Sequence, residues 1–211
     1  MAMLLDSYSE TNVNDEFNLE INSPFVAVGQ SFKTPDDETV WALSSAKFYL
    51  KKLDSPTGNL VAKLYEHSGS FGAGGVPTGS ALAVSSPVDS SSLSSSIALV
   101  EFVFDESFGM SPNTEYVIVV DGSAVSGLVK FGSDSSFPTA QGNACYFASG
   151  TWYSDSRDCA FYVYGVEYIP PFEPRRLVNK AGFVFDPEKT YILYAEDFNN
   201  VLDRLDALEA E

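Results

Sequence analysis

The sequence predicts an all-β fold, an antiparallel jelly-roll or β-sandwich, from three observations. Of 211 residues, 45% are hydrophobic and only 19% are charged, so the chain can bury a sizeable core. The 16 Phe, 11 Tyr and 15 Gly are typical of many short strands joined by flexible turns. From residue 24 to residue 168, short apolar alternations are separated by turn clusters, as in a sandwich of antiparallel strands.

The first clear strand covers residues 46–53. Its apolar side chains alternate with Lys47 and Lys51, which predicts one buried face and one solvated face. The turn residues 54–58 end it. Residues 60–65 repeat the alternation, so the sequence predicts that the two segments pair as a hairpin.

Further strands follow the same reasoning. Residues 100–104 alternate, whereas residues 115–121 and 159–164 are nearly continuous apolar runs, which indicates central strands. The serine-rich residues 85–96 are too polar to build a core and are expected to form a solvated connector. Residues 145–153, with Ser-Gly between two aromatic segments, predict a hairpin.

The composition changes after residue 168, which divides the chain into three parts. A jelly-roll sandwich is expected over 1–168, a stiff proline-rich linker over 169–176, and a small β-hairpin followed by a helix over 177–211. The helix carries one apolar stripe, formed by Phe198, Val201, Leu202, Leu205 and Leu208. So short a helix needs a partner, which predicts self-association as a dimer or trimer; folding back on the hairpin is the alternative.

The charge balance excludes several partners. A formal net charge of -17 repels a phosphate backbone and an anionic membrane surface, so neither nucleic acid nor a membrane is an expected partner. Neither a secretion signal nor a membrane-spanning apolar segment is predicted, so synthesis in the cytoplasm is expected.

Few residues offer catalytic or metal-binding chemistry. The single histidine, His67, is expected at the surface or in a turn, and no serine lies in a nucleophile-elbow motif. Cys145 and Cys159 are interpreted as buried thiols rather than a disulfide. The acidic residues 36–38 are interpreted as solvated charge, with Ca²⁺ binding as the alternative. We therefore expect no catalytic residue, no metal and no cofactor.

The best candidate for ligand binding is the aromatic hairpin near residue 150. Tyr146, Trp152 and Tyr153 provide flat apolar faces, and Asp155 and Arg157 provide hydrogen-bonding groups beside them. Sugar rings require this combination of surfaces. Packing of these aromatic side chains into the core is the alternative.

Several motifs occur in the order found in one known type of module. They are residues 29–32 (Gly-Gln-Ser-Phe), 43–52, 55–59 (Ser-Pro-Thr-Gly-Asn), 62–65, 77–79 and 159–165. With these motifs, the chain resembles the choice-of-anchor R type of β-sandwich module over residues 5–165. The C-terminal residues 179–199 are similar to segments of phage structural proteins.

The resemblance implies a carbohydrate-binding-like sandwich and contributes no catalytic residues. It leads us to expect a non-enzymatic phage virion protein, in a tail fibre, a tail tip or a head decoration, that adheres to the host surface. The expected partners are copies of the chain, other virion proteins and a host-surface glycan. The alternatives are a purely structural decoration or spacer protein and a glycan-active enzyme.

Overall fold

A computed structural model describes residues 2–19, 25–136 and 142–168. Apart from two short 3-10 turns at Glu10–Asn12 and Ser90–Ser92, their regular structure is antiparallel β. The strands are β1 (Met3–Tyr8), β2 (Asp15–Leu19), β3 (Ala27–Lys33), β4 (Trp41–Lys52), β5 (Asn59–Ser68), β6 (Val76–Val84), β7 (Val88–Asp89), β8 (Ala98–Val103), β9 (Gly109–Met110), β10 (Glu115–Asp121), β11 (Val129–Asp134), β12 (Ala144–Ala148), β13 (Thr151–Asp155), β14 (Asp158–Cys159) and β15 (Phe161–Glu167).

The strands form two sheets, which confirms the predicted all-β sandwich. The eight-stranded sheet has the order β1-β15-β4-β11-β14, with β2 beside β11 and both β8 and β9 beside β4. The seven-stranded sheet has the order β13-β12-β3-β10-β5-β6, with β7 beside β5. Successive strands repeatedly change sheet, and β10 and β15 lie inside their sheets, as their apolar sequences predict.

Aromatic side chains fill the space between the sheets. In β4, Phe48 is fully buried, while Lys47 and Lys51 on the opposite face are partly exposed, as predicted. The Phe48 ring lies 5.9 Å from the ring of Phe102 and 5.3 Å from that of Phe131. Burial of each such side chain contributes about 1.5–3 kcal/mol, so alternation along the strands supplies the main stabilisation of the sandwich.

The predicted hairpin between residues 46–53 and 60–65 is wrong. β4 lies in the eight-stranded sheet and β5 in the seven-stranded sheet. The connection crosses the sandwich because other backbone groups bind it: Leu53 N donates to Leu128 O at 2.9 Å, and Thr57 exchanges two hydrogen bonds with Ser126. Alternation identifies the buried face of a strand but does not specify its neighbour.

The seven-stranded sheet also has a second apolar cluster on its outer face. Its buried members are Ala27, Val117, Val119 and Cys145, and they are covered by Tyr65, Val76, Phe147 and Trp152. The edge strands β13 and β6 contact each other, so the sheet curls around this cluster. Strand β10 is therefore buried on both faces, which explains its continuous apolar sequence.

His67 lies near the end of β5, where the strand enters a loop as predicted, but its side chain is not at the surface. Its side chain is only 4% exposed, and its Nδ1 lies 3.2 Å from Oε2 of Glu115. Burial lowers the His67 pKa, against the opposing effect of the Glu115 charge. Nε2 is buried and has no hydrogen-bond partner within the described part of the chain. A side chain at the end of a strand is exposed in a flat sheet. Here the sheet curls, and the His67 side chain is covered.

The serine-rich connector is less solvated than expected. Ser90 is fully buried and donates from Oγ to Gly58 O at 2.8 Å, and Leu93 is also buried. These two residues anchor the connector to the sandwich.

The two cysteines are thiols, as the sequence predicted. Cys145 and Cys159 are both free and fully buried, and burial raises the pKa of each thiol. The predicted linker 169–176, the hairpin and helix at 177–211 and the apolar stripe lie outside the described residues.

Replacing Gly75 tests the enclosed position of His67. A Cβ at Gly75 would lie 2.3 Å from His67 Nε2 and 2.7 Å from Oδ1 of the buried Asn143. We expect Gly75→Ala to lower the free energy of unfolding by about 1–3 kcal/mol, because the new methyl group would overlap both buried side chains and force them to move. The adjacent Gly74→Ala is the control, since its nearest atom would be 3.8 Å away, and a change within about 0.5 kcal/mol is expected. Urea unfolding measures both; equal effects would contradict the buried placement of His67.

Candidate functional site

The candidate site is built on the β12–β13 hairpin, which the sequence predicted. Ser149 (φ 51°) and Gly150 (φ 82°) form its turn, and two successive positive φ angles match the twist of a two-residue hairpin. Tyr146 lies opposite Tyr153 in the register, and Ala144 lies opposite Asp155. The hairpin therefore determines which predicted site residues share a face.

Four of the five predicted residues come together, and Trp152 does not. Tyr146 packs against the core between the sheets, so its cross-strand partner Tyr153 lies on that same side of the hairpin. Trp152 points to the opposite face. Its ring lies 5.2 Å from the Phe147 ring and 6.3 Å from the Tyr65 ring, within the second apolar cluster.

The exposed ring of this group is Tyr153, which is 44% accessible. It stacks on Tyr146 with the ring centroids 5.4 Å apart and an interplanar angle of 21°. Tyr146 in turn meets Phe25 edge-on at 4.6 Å and lies 6.5 Å from Phe17. A row of one buried and two partly buried aromatic rings therefore supports one exposed aromatic face.

Arg157 lies at the other end of this row. Its Cζ is 3.5 Å from the centroid of the Phe17 ring. Its Nε and Nη2 donate to the two carboxylate oxygens of Asp155 at 3.0 and 2.8 Å, and its Nη1 donates to Asp15 Oδ2 at 3.2 Å. Burial disfavours the charges of Arg157 and Asp155, but their hydrogen bonds outweigh it, so the Arg157 pKa is raised and the Asp155 pKa is lowered.

We use the name "the tip" for Asp15, Tyr146, Tyr153, Asp155 and Arg157. Tyr153 and Asp155 are two residues apart on one face of a strand, a spacing of roughly 7 Å. A flat ring placed on Tyr153 can therefore present a hydroxyl group to the Asp155 carboxylate. Such an arrangement binds a polar ring by stacking and directed hydrogen bonds without any covalent chemistry.

Sequence reasoning missed the contribution of β2 to the tip. This strand supplies Asp15 and the ring of Phe17, which lies beneath both Tyr146 and Arg157. The alternation of Phe17 and Leu19 could have indicated a half-buried strand. The sequence contains no indication that this strand lies beside the β12–β13 hairpin.

Two further carboxylates lie close to the tip but are enclosed. Asp158 is 2% exposed, and its Oδ1 accepts a hydrogen bond from Gln30 Nε2 at 2.5 Å. Gln30 Oε1 accepts from Cys159 N at 2.8 Å, so this amide joins the two sheets. Burial raises the Asp158 pKa to about 6, and the negative charges of Asp134 and Asp6 add to the effect.

Asp134 has the opposite electrostatic environment. Its carboxylate accepts hydrogen bonds from Ser136 Oγ at 2.6 Å, Tyr8 Oη at 2.5 Å and Asn14 Nδ2 at 2.6 Å. These donors, Ser136 and Tyr8 first, lower the Asp134 pKa to about 2. Two acids with separated pKa values are typical of glycoside cleavage, but the burial of Asp158 prevents a substrate from reaching it. The pair therefore acts as a structural network.

A cleft of about 540 Å³ lies between β1 and β3. Several of its polar groups already have protein partners. Asp6 Oδ2 accepts from Lys33 N at 3.2 Å, and Thr34 Oγ1 donates to Ser111 O at 2.7 Å. The aromatic residues of the cleft, Tyr8 and Phe161, are partly or fully buried, so the cleft lacks an exposed ring such as that of Tyr153 and is the weaker candidate for a sugar ligand.

In the acidic loop at residues 36–38, for which Ca²⁺ binding was the alternative, one carboxylate binds the protein itself. Asp37 Oδ1 accepts from Thr39 N at 3.1 Å and from Trp41 Nε1 at 3.3 Å. Within residues 2–19, 25–136 and 142–168, no cluster of three or more His, Cys, Asp or Glu side chains is arranged to bind a metal ion. In the same ranges, no helix has the length and apolar character needed to cross a membrane.

The chain was compared with known proteins in three ways. No protein-family model, no curated protein and no solved structure matches the chain.

The raised pKa of Asp158 predicts a pH-dependent stability. Its folded pKa lies above the unfolded value of 3.8, so its contribution to stability is present below pH 3.8 and is lost as the pH rises through about 6. Asp158→Asn removes this loss. As the pH rises from 4 to 7, the parent should lose stability that the variant keeps. The free energy of unfolding of the variant should therefore gain about 1–3 kcal/mol relative to that of the parent.

Asp134→Asn is the matched control of opposite sign. The lowered pKa of Asp134 gives stability that is present above pH 3.8 and is lost as the pH falls toward about 2. This variant should therefore lose stability relative to the parent as the pH rises from 2 to 4. Chemical denaturation across pH measures both differences, and parallel profiles for the two variants would contradict the assignment.

Proposed function

We propose that the chain is a non-enzymatic phage virion structural protein whose sandwich presents a glycan-binding tip for adhesion to the host surface. One observation carries the glycan-binding part of this proposal. Tyr153 is exposed, is held flat by stacking on Tyr146, and lies beside the hydrogen-bonding pair of Asp155 and Arg157.

The rigidity of the tip favours binding. Tyr146 is packed on Phe25 and Phe17, so the ring of Tyr153 rests on an ordered support. Arg157 is held by three hydrogen bonds to carboxylates and by the Phe17 ring, so little side-chain entropy is lost when a ligand binds. A single exposed ring still makes a weak site, which several copies on one particle would strengthen through avidity.

Two features support a role without catalysis. The carboxylate pair with separated pKa values, Asp134 and Asp158, has little exposed surface. The carboxylate of Asp155 is neutralised by a bidentate pair with Arg157, which leaves it suited to accepting hydrogen bonds rather than to attacking a bond.

The virion part of the proposal rests on the sequence. The sandwich resembles a module found in phage virion proteins, and the C-terminal residues are similar to phage structural segments. Residues 177–211 would join copies of the chain, or dock it on other virion proteins, through the apolar stripe. The net charge of -17 would keep free subunits apart before assembly.

A spacer protein without a ligand site is the second candidate. The contacts that order the tip also stabilise the sandwich, because Arg157 connects β2 to the segment between β13 and β14. The same geometry therefore serves a purely structural role if no ligand binds. A binding experiment separates the two candidates.

The ring of Tyr153 provides the direct test of glycan binding. We expect Tyr153→Ala to weaken binding of the full chain to glycan-coated beads by at least about tenfold, because the stacking surface is lost. Tyr153→Phe keeps the ring and should retain most of the binding. Ser154→Ala is the matched control, since Ser154 is exposed on the neighbouring position but points to the other face.

Binding curves over a panel of host-type polysaccharides provide the measurement, and circular dichroism checks the fold of each variant. Retention of no polysaccharide at high bead density would favour the spacer protein. Equal loss of binding in Tyr153→Ala and Ser154→Ala would place the site elsewhere.

The apolar stripe is tested separately from the tip. We expect Leu205→Asp to reduce the assembled mass to that of a single chain, because a charge in an apolar seam is costly to bury. Ala207→Asp is the matched control, since residue 207 falls opposite the stripe at helical spacing. Light scattering after size-exclusion chromatography measures the mass, and a single-chain mass for the parent would overturn the assembly proposal.

A further inference from the structure

We infer that the tip takes uncharged glycans and excludes acidic ones such as uronic-acid or sulfated polysaccharides. The inference rests on the proposed glycan-binding function and names its ligand class. It comes from the way in which the one cation of the tip, Arg157, is used by the protein itself.

Arg157 has little left to offer an anion. Its Nε, Nη1 and Nη2 each donate to a carboxylate oxygen of Asp155 or Asp15, at distances between 2.8 and 3.2 Å. One face of the guanidinium lies on the Phe17 ring at 3.5 Å. Recognition of a carboxylate or sulfate by arginine relies on a free pair of parallel donors. The Asp155 carboxylate occupies the pair formed by Nε and Nη2, and the Asp15 carboxylate engages Nη1 of the second pair.

The tip instead presents hydrogen-bond acceptors. The side chain of Asp15 is 44% exposed. Within the described residues, its Oδ2 accepts one hydrogen bond, from Arg157 Nη1. Asp155 Oδ2 likewise accepts one described bond, from Arg157 Nη2. Each oxygen therefore keeps acceptor capacity for a hydroxyl group.

The charge of the tip points the same way. Asp15 and Asp155 carry two negative charges against the single positive charge of Arg157, so the tip has a net charge of -1. It belongs to a chain with a formal net charge of -17. An acidic sugar on Tyr153 would be repelled locally by the tip and at longer range by the chain.

The experiment compares polymers that differ mainly in charge. The full chain is titrated onto beads coated with galactan or with polygalacturonate, at ionic strengths of about 0.05 and 0.5 M, a range over which surface charges become strongly screened. We expect at least roughly tenfold tighter binding to galactan at low salt. We also expect little salt dependence for galactan and a smaller preference at high salt.

Asp15→Asn isolates the local charge. The amide keeps an oxygen for Arg157 but removes one negative charge from the tip, so the preference for galactan should fall several-fold. Asp36→Asn is the matched control, because it changes the net charge of the chain equally at an exposed residue outside the tip. That variant should keep the preference of the parent.

The outcomes separate this inference from the proposed function. Equal or tighter binding of polygalacturonate, weakened by salt and by Tyr153→Ala, would overturn the selectivity but leave the glycan-binding tip in place. A preference that Asp15→Asn and Asp36→Asn reduce equally would also overturn it. Retention of neither polymer, nor of any other glycan on the panel, would overturn the proposed function and the inference with it.

Discussion

The burial of one ring, Phe17, between the two sheets is the constraint on which the tip depends. Phe17 belongs to the eight-stranded sheet and is 1% exposed, whereas Tyr146, which it supports, belongs to the seven-stranded sheet. The same ring carries the guanidinium of Arg157 on its face. Stacking, ion pairing and sheet packing therefore meet at one residue, and Tyr153 owes its fixed orientation to an apolar contact two rings away.

The carboxylates near this end of the sandwich divide into two kinds. Asp158 is buried and accepts a hydrogen bond from Gln30, and burial disfavours its ionised form. It therefore helps to connect the two sheets. Asp15 and Asp155 are paired with Arg157, keep acceptor capacity and border an exposed ring. Burial, rather than residue type, separates an acid that stabilises the fold from acids able to contact a ligand.

Much of the strand content was predictable because alternation depends only on neighbouring residues. Phe48 and its lysine neighbours show this alternation in β4. The β12–β13 hairpin was predictable for the same reason, because its Ser149-Gly150 turn is also a local signal. The prediction was wrong for the pairing of residues 46–53 with residues 60–65 and for the exposure of His67. Both errors concern features that arise between distant segments, namely the change of sheet and the curl of the seven-stranded sheet.

The amino-acid sequence by itself determined the all-β class, the central strands, the aromatic hairpin and the residue types available for binding, because each follows from composition or from a period of two. Only the tertiary structure decided that Trp152 faces away from Tyr153, and that Asp15 and Phe17 join the site from β2. The physical reason is that a strand specifies which side chains share a face. Which strand lies opposite that face is decided by the packing of the whole sandwich.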